Sequence, residues 1–222
     1  ISNKFPSLLS SVFGIFNMSW CESATVHINS EERDEFFSDI CNTVAKLFSS
    51  LGVGLIACMP FLFPILINSQ YNEAFIYIPI LALGVTFNVG VSLYSSLYIA
   101  KKMTKQVAAT SIMGAVLNIV INVLLIKYIG LYAAAFSTMI SYLVMMVYRH
   151  FDLKKYFNIK YEKGLFVKSI LIFTFAIVLY YQRNIYLDIL NLVVVSIYAF
   201  LLNKKFLFDT FGSIIKKLKR NR

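Results

Sequence analysis

Six polar or charged residues lie within or beside long apolar stretches of this 222-residue chain: Lys4, Asn17, Glu22, Asn88, Asn118 and Asn122. Inside a membrane such groups are costly unless they pair with one another or face water. Asn118 and Asn122 are four residues apart and therefore share one face of a helix. Asn88 belongs to the preceding apolar stretch, so the three amides suggest a shared polar interior. We treat all six residues as candidates for a cavity or substrate path.

Helix packing is the plainer explanation for these residues. Small side chains let helices approach closely, and a polar side chain that bonds across the contact contributes about 0.6 kcal/mol on average. Gly84 and Gly114 accompany the asparagines on the same faces, which favours packing for the small residues and leaves both interpretations open for the asparagines. Glu22 lies near one end of its stretch, where a carboxylate reaches water. Lys4 lies near the other end, where an ammonium group anchors the helix or attracts an anionic headgroup.

The composition predicts an all-α membrane protein with several spans. Hydrophobic residues make up 59% of the chain, charged residues 14%, and the mean hydropathy is +0.71, whereas ordinary domains are about 45–50% apolar. A spanning helix needs roughly 17–25 mostly apolar residues. Seven stretches qualify or nearly qualify, namely 5–26, 44–67, 74–100, 107–126, 131–148, 165–181 and 185–202. We therefore expect a polytopic transmembrane helix bundle.

The lysine and arginine residues alternate between the predicted links and indicate an orientation. The links after the third and fifth stretches and the C-terminal region hold fifteen of them, against two in the links after the second, fourth and sixth. Positive residues are retained in the cytoplasm, so we expect a cytoplasmic C-terminus and, after seven crossings, an outside Ile1. An outside N-terminus without a signal sequence suggests a fragment. The basic clusters adjoin apolar stretches, which favours membrane lipids over nucleic acid as partners.

Three local features refine this picture. Ser30 is followed by two glutamates, which predicts the start of an amphipathic helix leading into the second stretch. Pro60 and Pro64 in the second stretch and Pro79 in the third are expected to bend those helices. The three cysteines have no metal-ligand spacing and are expected to be free thiols packed as small apolar groups.

The sequence shows no constellation for catalysis or for a bound cofactor. The two histidines, His27 and His150, lie in separate links without a paired nucleophile or a cluster of ligands. The chain also lacks a Walker A loop for nucleotide phosphates. We therefore expect a protein that is not an enzyme and holds no metal or other cofactor.

Several motifs follow one another in an order known from one transporter family. NKFPSLLSSVFGIFNMSWCESA precedes DEFFSDI, YNEAFIYIPILALGVTFN, SLYIAKKMTK, GAVLNIVINVLLIKYIGLYAAAFSTMISYLV and YRHFDLKKYF. Together they resemble the C-terminal half of bacterial polysaccharide flippases, within the multidrug/oligosaccharide-lipid/polysaccharide exporter superfamily. The resemblance covers residues 3 to about 157. What carries it is a joint pattern and no single feature: Trp20 with Glu22, the link with Lys101 and Lys102, Asn118 with Asn122, and the turn at Gly130.

The resemblance implies one lobe of a two-lobe transporter. Residues 1–157 would form the transporter lobe, 158–202 two further membrane helices and 203–222 a basic cytoplasmic tail, with the N-terminal lobe of the same protein missing. It also implies alternating-access translocation of undecaprenyl-pyrophosphate-linked oligosaccharide across the bacterial inner membrane, for O-antigen, lipopolysaccharide or capsule. Asn17, Glu22, Asn88, Asn118 and Asn122 would then line the cavity or lock the lobe.

Three other functions are compatible with parts of the sequence. A cation-coupled multidrug exporter would share the fold, and a buried carboxylate cluster in the missing lobe would favour it. A membrane enzyme, such as a polysaccharide polymerase or a lipid-linked glycosyltransferase, would need a sizeable extracytoplasmic loop that carries catalytic residues. The predicted outside links are short. A noncatalytic membrane scaffold would not need aligned asparagines.

Overall fold

The computed structural model describes residues 2–220, and their side chains over 2–68 and 70–209. All regular structure in this part of the chain is helical, so the predicted all-α helical bundle is confirmed. Seven α-helices occur there: α1 Lys4–His27, α2 Arg33–Leu66, α3 Ile78–Ala100, α4 Thr104–Ile129, α5 Tyr132–Leu153, α6 Leu165–Tyr181 and α7 Ile185–Arg220. A 3-10 segment, Ser69–Tyr77, precedes α3.

Four helical segments are long and apolar enough to cross a membrane, judged by length and composition over the described residues. They are Arg33–Leu66, Gln70–Ala100, Thr104–Ile129 and Ile185–Asp209. The 17-residue helix α6 is apolar as well but shorter. The chain therefore has the composition of a membrane protein, while seven crossings stay a prediction because α1 and α5 are not among these four.

Helix α3 occupies the centre of the bundle. It packs against α1 on one side, α5 on another and α2 on a third, while α4 lies mainly against α5, and α6 and α7 lie against α2. Two clusters of buried side chains result. One surrounds Trp20, Phe37 and Tyr98, and the other lies between α2, α3, α6 and α7 around Ile56 and Tyr180.

The links between helices meet at two opposite ends of the bundle. Links 28–32, 101–103 and 154–164 form one end, hereafter the basic end, where the Lys101 ammonium group lies 4.8 Å from the centre of the Tyr156 ring. Links 67–77, 130–131 and 182–184 form the opposite end, where the Tyr180 hydroxyl donates to the Phe75 carbonyl at 2.8 Å. The links thus alternate as the charge pattern predicts, and the cytoplasmic location of the basic end stays a prediction.

Two predictions about helix starts are wrong. Helix α2 does begin before the apolar stretch, as expected, but at Arg33, and the Ser30 hydroxyl donates to the His27 carbonyl at 2.9 Å, so Ser30 closes α1 instead of capping α2. Pro79 is the second residue of α3 and lies after the 3-10 segment. An amide there would have no intrahelical partner, so this proline starts a helix and interrupts none.

Two boundaries near the basic end also differ from the prediction. Helix α5 continues past Tyr148 to Leu153, which places Arg149 inside the helix and not in the following link. Helix α7 continues through the region expected to be a basic tail as far as Arg220. The remaining predictions for Ile1 and for residues 221–222 lie outside the described residues. The three cysteines are free thiols, as expected.

Candidate functional site

Asn17 is half-buried and takes part in the contact between α1 and α3. Its side-chain oxygen accepts a hydrogen bond from the Ser96 hydroxyl at 3.0 Å. One turn further along α1, the indole N–H of Trp20 donates to the Leu93 carbonyl at 3.2 Å. Asn17 thus holds two helices together on the buried side of α1.

Asn118 holds α4 against α5 in the same manner. Its amide nitrogen donates to the Thr138 hydroxyl and its oxygen accepts from the Ser137 hydroxyl, both at 3.2 Å. Nearby, a side chain at Gly114 would come within 3.0 Å of Met145, so the absence of a side chain permits the close approach. Helix packing therefore accounts for Asn118 and Gly114 of α4.

Asn122 lies one turn along α4 from Asn118 and differs from it. Its side-chain oxygen is buried and has no hydrogen-bond partner. A buried amide oxygen without a donor costs free energy, so the packing interpretation that suits Asn118 leaves the Asn122 oxygen unexplained.

Glu22 and Lys4 lie on the exposed face of α1. They are 18 residues apart, which is five turns, so they share one side of the helix about 27 Å apart. Ile15 and Met18 on this face are 76% and 79% exposed. Neither charged side chain forms an ion pair with a described residue. This face presents mostly apolar surface with one charge toward each end.

Asn88 is half-buried on α3, between the sides of this helix that contact α1 and α5. Leu93 makes one of the contacts with α1, and Tyr94 makes one of those with α5. Asn88, Ser92 and Ile99 point between these two contact faces, given 100° per residue, and Ile99 is 42% exposed. We call these three residues the α3 groove. Asn88 makes no side-chain hydrogen bond to any described residue and is half-buried.

The six candidates therefore do not form a single cluster. Asn17 and Asn88 lie on or against α3, while Asn118 and Asn122 belong to the contact between α4 and α5. The two charged candidates lie on the outer face of α1. Asn88 and Asn122 are both half-buried and make no side-chain hydrogen bond to a described residue, but of these two only Asn122 has its amide oxygen fully buried.

Arg149 is the most deeply buried charged residue among the described side chains, at 1% exposed, and sequence reasoning placed it in a loop. Its guanidinium group lies in a cage built by α3 and α4. The Nε and Nη2 atoms donate to the Thr110 hydroxyl at 3.0 and 2.7 Å, and Nη1 donates to the Val91 carbonyl at 2.9 Å. Further bonds reach Ser95, Ser111 and the Val107 carbonyl.

The cage satisfies every nitrogen of Arg149 with neutral oxygen atoms. No described carboxylate lies within ion-pair distance of it. An arginine that is fully bonded in this way fixes α3, α4 and α5 relative to one another and has no donor left for a substrate. The sequence signal that could have revealed the buried arginine is the set of serine and threonine residues on α3 and α4, because the hydroxyl groups of Ser95, Thr110 and Ser111 all bond its guanidinium group.

Near Arg149, α5 carries a second polar contact at the basic end. The Tyr98 hydroxyl donates to the Asp152 carboxylate at 2.8 Å, and the Lys155 ammonium group donates to the same carboxylate at 2.8 Å. The hydrogen bond from Lys155 is the main cause that holds the pKa of Asp152 below its ordinary value. Burial lowers the pKa of His150, which hydrogen-bonds the Tyr94 hydroxyl at 3.1 Å.

Comparison with known proteins adds no assignment. No protein-family model matches the chain, and neither a curated protein nor a solved structure is significantly similar to it. Among the described residues, no group of three or more histidine, cysteine, aspartate or glutamate side chains lies close enough to hold a metal ion. Chemically, the arrangement can offer the half-buried amide of Asn88 and hydroxyl of Ser92 along α3 in an apolar bundle.

Proposed function

We propose that this chain forms one lobe of a flippase that moves undecaprenyl-pyrophosphate-linked oligosaccharide across the bacterial inner membrane. The observation that carries the proposal is the half-buried and unbonded amide of Asn88 in the α3 groove, within an otherwise apolar bundle. A polar group at such depth needs water or a polar ligand. A groove that is open on one side needs a facing surface, and the N-terminal lobe of the same protein would supply it.

The groove has the chemistry that a lipid-linked sugar requires. Asn88 and Ser92 offer an amide and a hydroxyl, which pair with sugar hydroxyls. Ile99 and the apolar face of α1 suit a polyprenyl chain. Lys101 and Lys102 follow directly at the basic end, where they attract a pyrophosphate group. One end of α3 would thus receive the charged part of the substrate and its middle the sugar.

Alternating access requires a lobe that moves as one body. The Arg149 cage joins α3, α4 and α5, and the bond between Asn17 and Ser96 joins α1 to α3. These bonds lie beside the groove and leave Asn88 free. We propose that the lobe rocks against its partner lobe while the groove keeps its shape.

The proposal is tested by replacing the amide in the groove. In cells that depend on the whole protein for a surface polysaccharide, Asn88→Leu should abolish most of that polymer at normal protein level, because leucine cannot bond a sugar. Asn29→Leu, which replaces an exposed amide in link 28–32 outside the groove, should leave the polymer unchanged. Normal polysaccharide in Asn88→Leu cells would overturn the proposal. Drug hypersensitivity with normal polysaccharide would favour the multidrug exporter.

A further inference from the structure

The opposite end of the bundle holds a buried carboxylate that no described side chain neutralises. Asp188 lies in the first turn of α7 and is 6% exposed, and none of the three ion pairs among the described residues includes it. The first turn of a helix favours a negative charge, yet the Asp188 Oδ1 atom is buried and has no hydrogen-bond partner. Such a charge is costly inside an apolar bundle unless a positively charged donor approaches it.

A cavity of about 270 Å³ lies beside this carboxylate. Among the residues that line it, Asp188, Tyr180 and Phe63 are buried, whereas Asn72 and Arg183 are exposed. The carboxylate therefore lies on the inner side of the cavity, and the amide and guanidinium groups lie on its outer side. Pockets for drug-sized ligands measure roughly 300–1,000 Å³, so this cavity suits a smaller organic group.

The donors on the outer side of the cavity are not engaged elsewhere. The backbone of Arg183 has a φ of +50°, in the left-handed region that residues other than glycine rarely adopt. Its guanidinium group lies 5.8 Å from the centre of the Phe75 ring and forms no ion pair or hydrogen bond with a described residue. The exposed amide of Asn72 also makes no side-chain hydrogen bond to a described residue. Both side chains can therefore donate to a ligand.

The two charges that line the cavity have opposite signs and are not paired with each other. A simple cation would be attracted by Asp188 but repelled by Arg183, and a simple anion would meet the reverse arrangement. A zwitterion satisfies both residues at once. A primary ammonium group brings three N–H donors to the carboxylate, and a phosphate accepts from a guanidinium group and an amide. A quaternary ammonium group has no N–H and would leave the carboxylate without a donor.

The position of the cavity indicates a lipid as the source of the zwitterion. Helices α2 and α7 both contain segments long and apolar enough to cross a membrane, and the cavity lies at one end of them, where lipid headgroups are found. Ile185 and Ile189 lie about 60° and 100° around α7 from Asp188. They are 55% and 49% exposed, so they offer apolar surface to an acyl chain.

We propose that this cavity binds the phosphoethanolamine headgroup of phosphatidylethanolamine. The ammonium group of the lipid donates to the Asp188 carboxylate on the inner side. The Arg183 guanidinium group and the Asn72 amide donate to the phosphate on the outer side. The site goes beyond the flippase proposal and does not depend on it, because none of its residues belongs to the α3 groove.

The first test is the thermal unfolding of the purified protein in detergent micelles that contain one of three lipids with identical acyl chains. Phosphatidylethanolamine should raise the Tm by about 5 °C relative to phosphatidylcholine, whose quaternary ammonium group cannot donate. Phosphatidylglycerol, which has the phosphate but no amine, should also give the lower Tm. Equal Tm values in the three lipids would show that a proton or Arg183 neutralises Asp188, and would overturn the proposal.

The carboxylate is tested by removing its charge. Asp188→Asn should lose the difference in Tm between phosphatidylethanolamine and phosphatidylcholine, because a neutral amide no longer attracts the ammonium group. Glu73→Gln removes an exposed carboxylate at the same end and should keep the difference. A full difference in Asp188→Asn would overturn the site.

The guanidinium group provides a second test if Asp188→Asn does not fold. Arg183 is exposed, so Arg183→Gln should fold and should increase the phosphatidylethanolamine concentration for half of the Tm shift roughly tenfold. Lys127→Gln removes another exposed positive charge at the same end and should leave that concentration unchanged. Equal increases in the two variants would indicate a general attraction of the phosphate to positive charge and would overturn the site.

A soluble probe distinguishes the lipid from a free headgroup. Phosphoethanolamine added to the protein in detergent should raise the Tm only at a much higher concentration than the lipid, because it lacks the apolar contact of the acyl chains. Ethanolamine alone and inorganic phosphate alone should give no shift, since each meets one charge of the cavity. Equal potency of phosphoethanolamine and phosphatidylethanolamine would assign the cavity to a soluble zwitterion and overturn the lipid as its ligand.

Discussion

Buried polar groups at the basic end are hydrogen-bonded, whereas several buried polar atoms in the rest of the bundle have no partner among the described residues. At the basic end, Arg149 bonds neutral oxygens through all three guanidinium nitrogens, and Asp152 accepts from two donors. Away from that end, four buried side-chain atoms have no partner among the described residues: those of Asn122, Ser141, Asp188 and Asn191. Satisfied groups hold helices in place, whereas unsatisfied ones are places for a ligand, an ion or water.

A link at the basic end shows how the satisfied groups work. The Asn42 amide nitrogen donates to the Lys160 carbonyl at 2.8 Å, and its oxygen accepts from the Glu162 amide at 2.9 Å. The Ser38 hydroxyl accepts from the Lys160 amide at 2.9 Å. Side chains of α2 thus supply the hydrogen bonds that link 154–164 would otherwise lack, and the link becomes part of the rigid end.

The largest effect on stability should come from Arg149. Arg149→Ala removes a fully buried side chain, leaves a cavity and deprives hydroxyls on two helices of their donors, which should lower the free energy of unfolding by about 3–5 kcal/mol. Unfolding in denaturant or on heating, followed in detergent, measures this. Arg149→Lys keeps the charge but offers fewer donors, so its loss should be smaller. A change below about 1 kcal/mol in Arg149→Ala would show that the cage is not what holds the three helices.

A smaller loss is expected from Asn42. Asn42→Leu leaves the Lys160 carbonyl and the Glu162 amide without partners, which should cost about 1–3 kcal/mol of unfolding free energy. Asn158→Leu is the matched control at the same end, because only the backbone amide of Asn158 is bonded there, to Asp34 at 3.1 Å. Equal effects of the two substitutions would contradict the role given to the Asn42 side chain.

The helix positions were predictable because they depend on local hydropathy. The predicted stretch 165–181 coincides with α6, and the expected amphipathic start of the second stretch is the first part of α2. Arg149 was missed because a basic residue that follows an apolar stretch is normally a link residue. Its partners lie on α3 and α4, about 40 to 60 positions away, and a local pattern carries no information about such contacts.

The candidate site was predictable only in part. Helical spacing placed Asn118 and Asn122 on one face, but it could not show that the first is bonded to α5 and the second is not. Asp188 was not predicted as a site residue because an acid in the first turn of a helix is common. Its burial and the missing hydrogen-bond partner of its Oδ1 atom depend on packing between distant helices, which a local pattern does not show.

The asparagines of α4 should respond unequally to the same substitution. Asn118→Leu removes two hydrogen bonds to α5 and should cost about 1–2 kcal/mol, whereas Asn122→Leu removes an unpartnered oxygen and should be nearly neutral or stabilising. Thermal unfolding of the two variants side by side measures the difference. Equal losses would show that the Asn122 oxygen is bonded as well.

Cysteine labelling should distinguish the α3 groove from the packed contact between α4 and α5. Asn88→Cys should react with a small water-soluble thiol reagent, because the α3 groove is open between α1 and α5. Asn118→Cys should stay protected within its helix contact, and Val123→Cys, which is exposed on an apolar face, should stay protected by lipid. Measured rates need the native cysteines removed first. Labelling of Asn118→Cys in a membrane would restore the hydrated-cavity interpretation for α4.

The smallest expected effect is the pH dependence of the unfolding free energy that arises from His150 at the basic end. Burial, with a contribution from Lys154, lowers the pKa of His150 from its ordinary value of 6.5. The folded state therefore prefers neutral His150, so this stability is present above pH 6.5 and is lost as the pH falls through the lower folded pKa. Unfolding free energies between about pH 7.5 and pH 5.5 should decrease, and His150→Gln should reduce that slope. Lys154→Gln should reduce it less, because burial is the larger cause. An unchanged slope in His150→Gln would show that the buried contact with Tyr94 tolerates a charged imidazole, and the basic end would then be less tightly bonded than its geometry indicates.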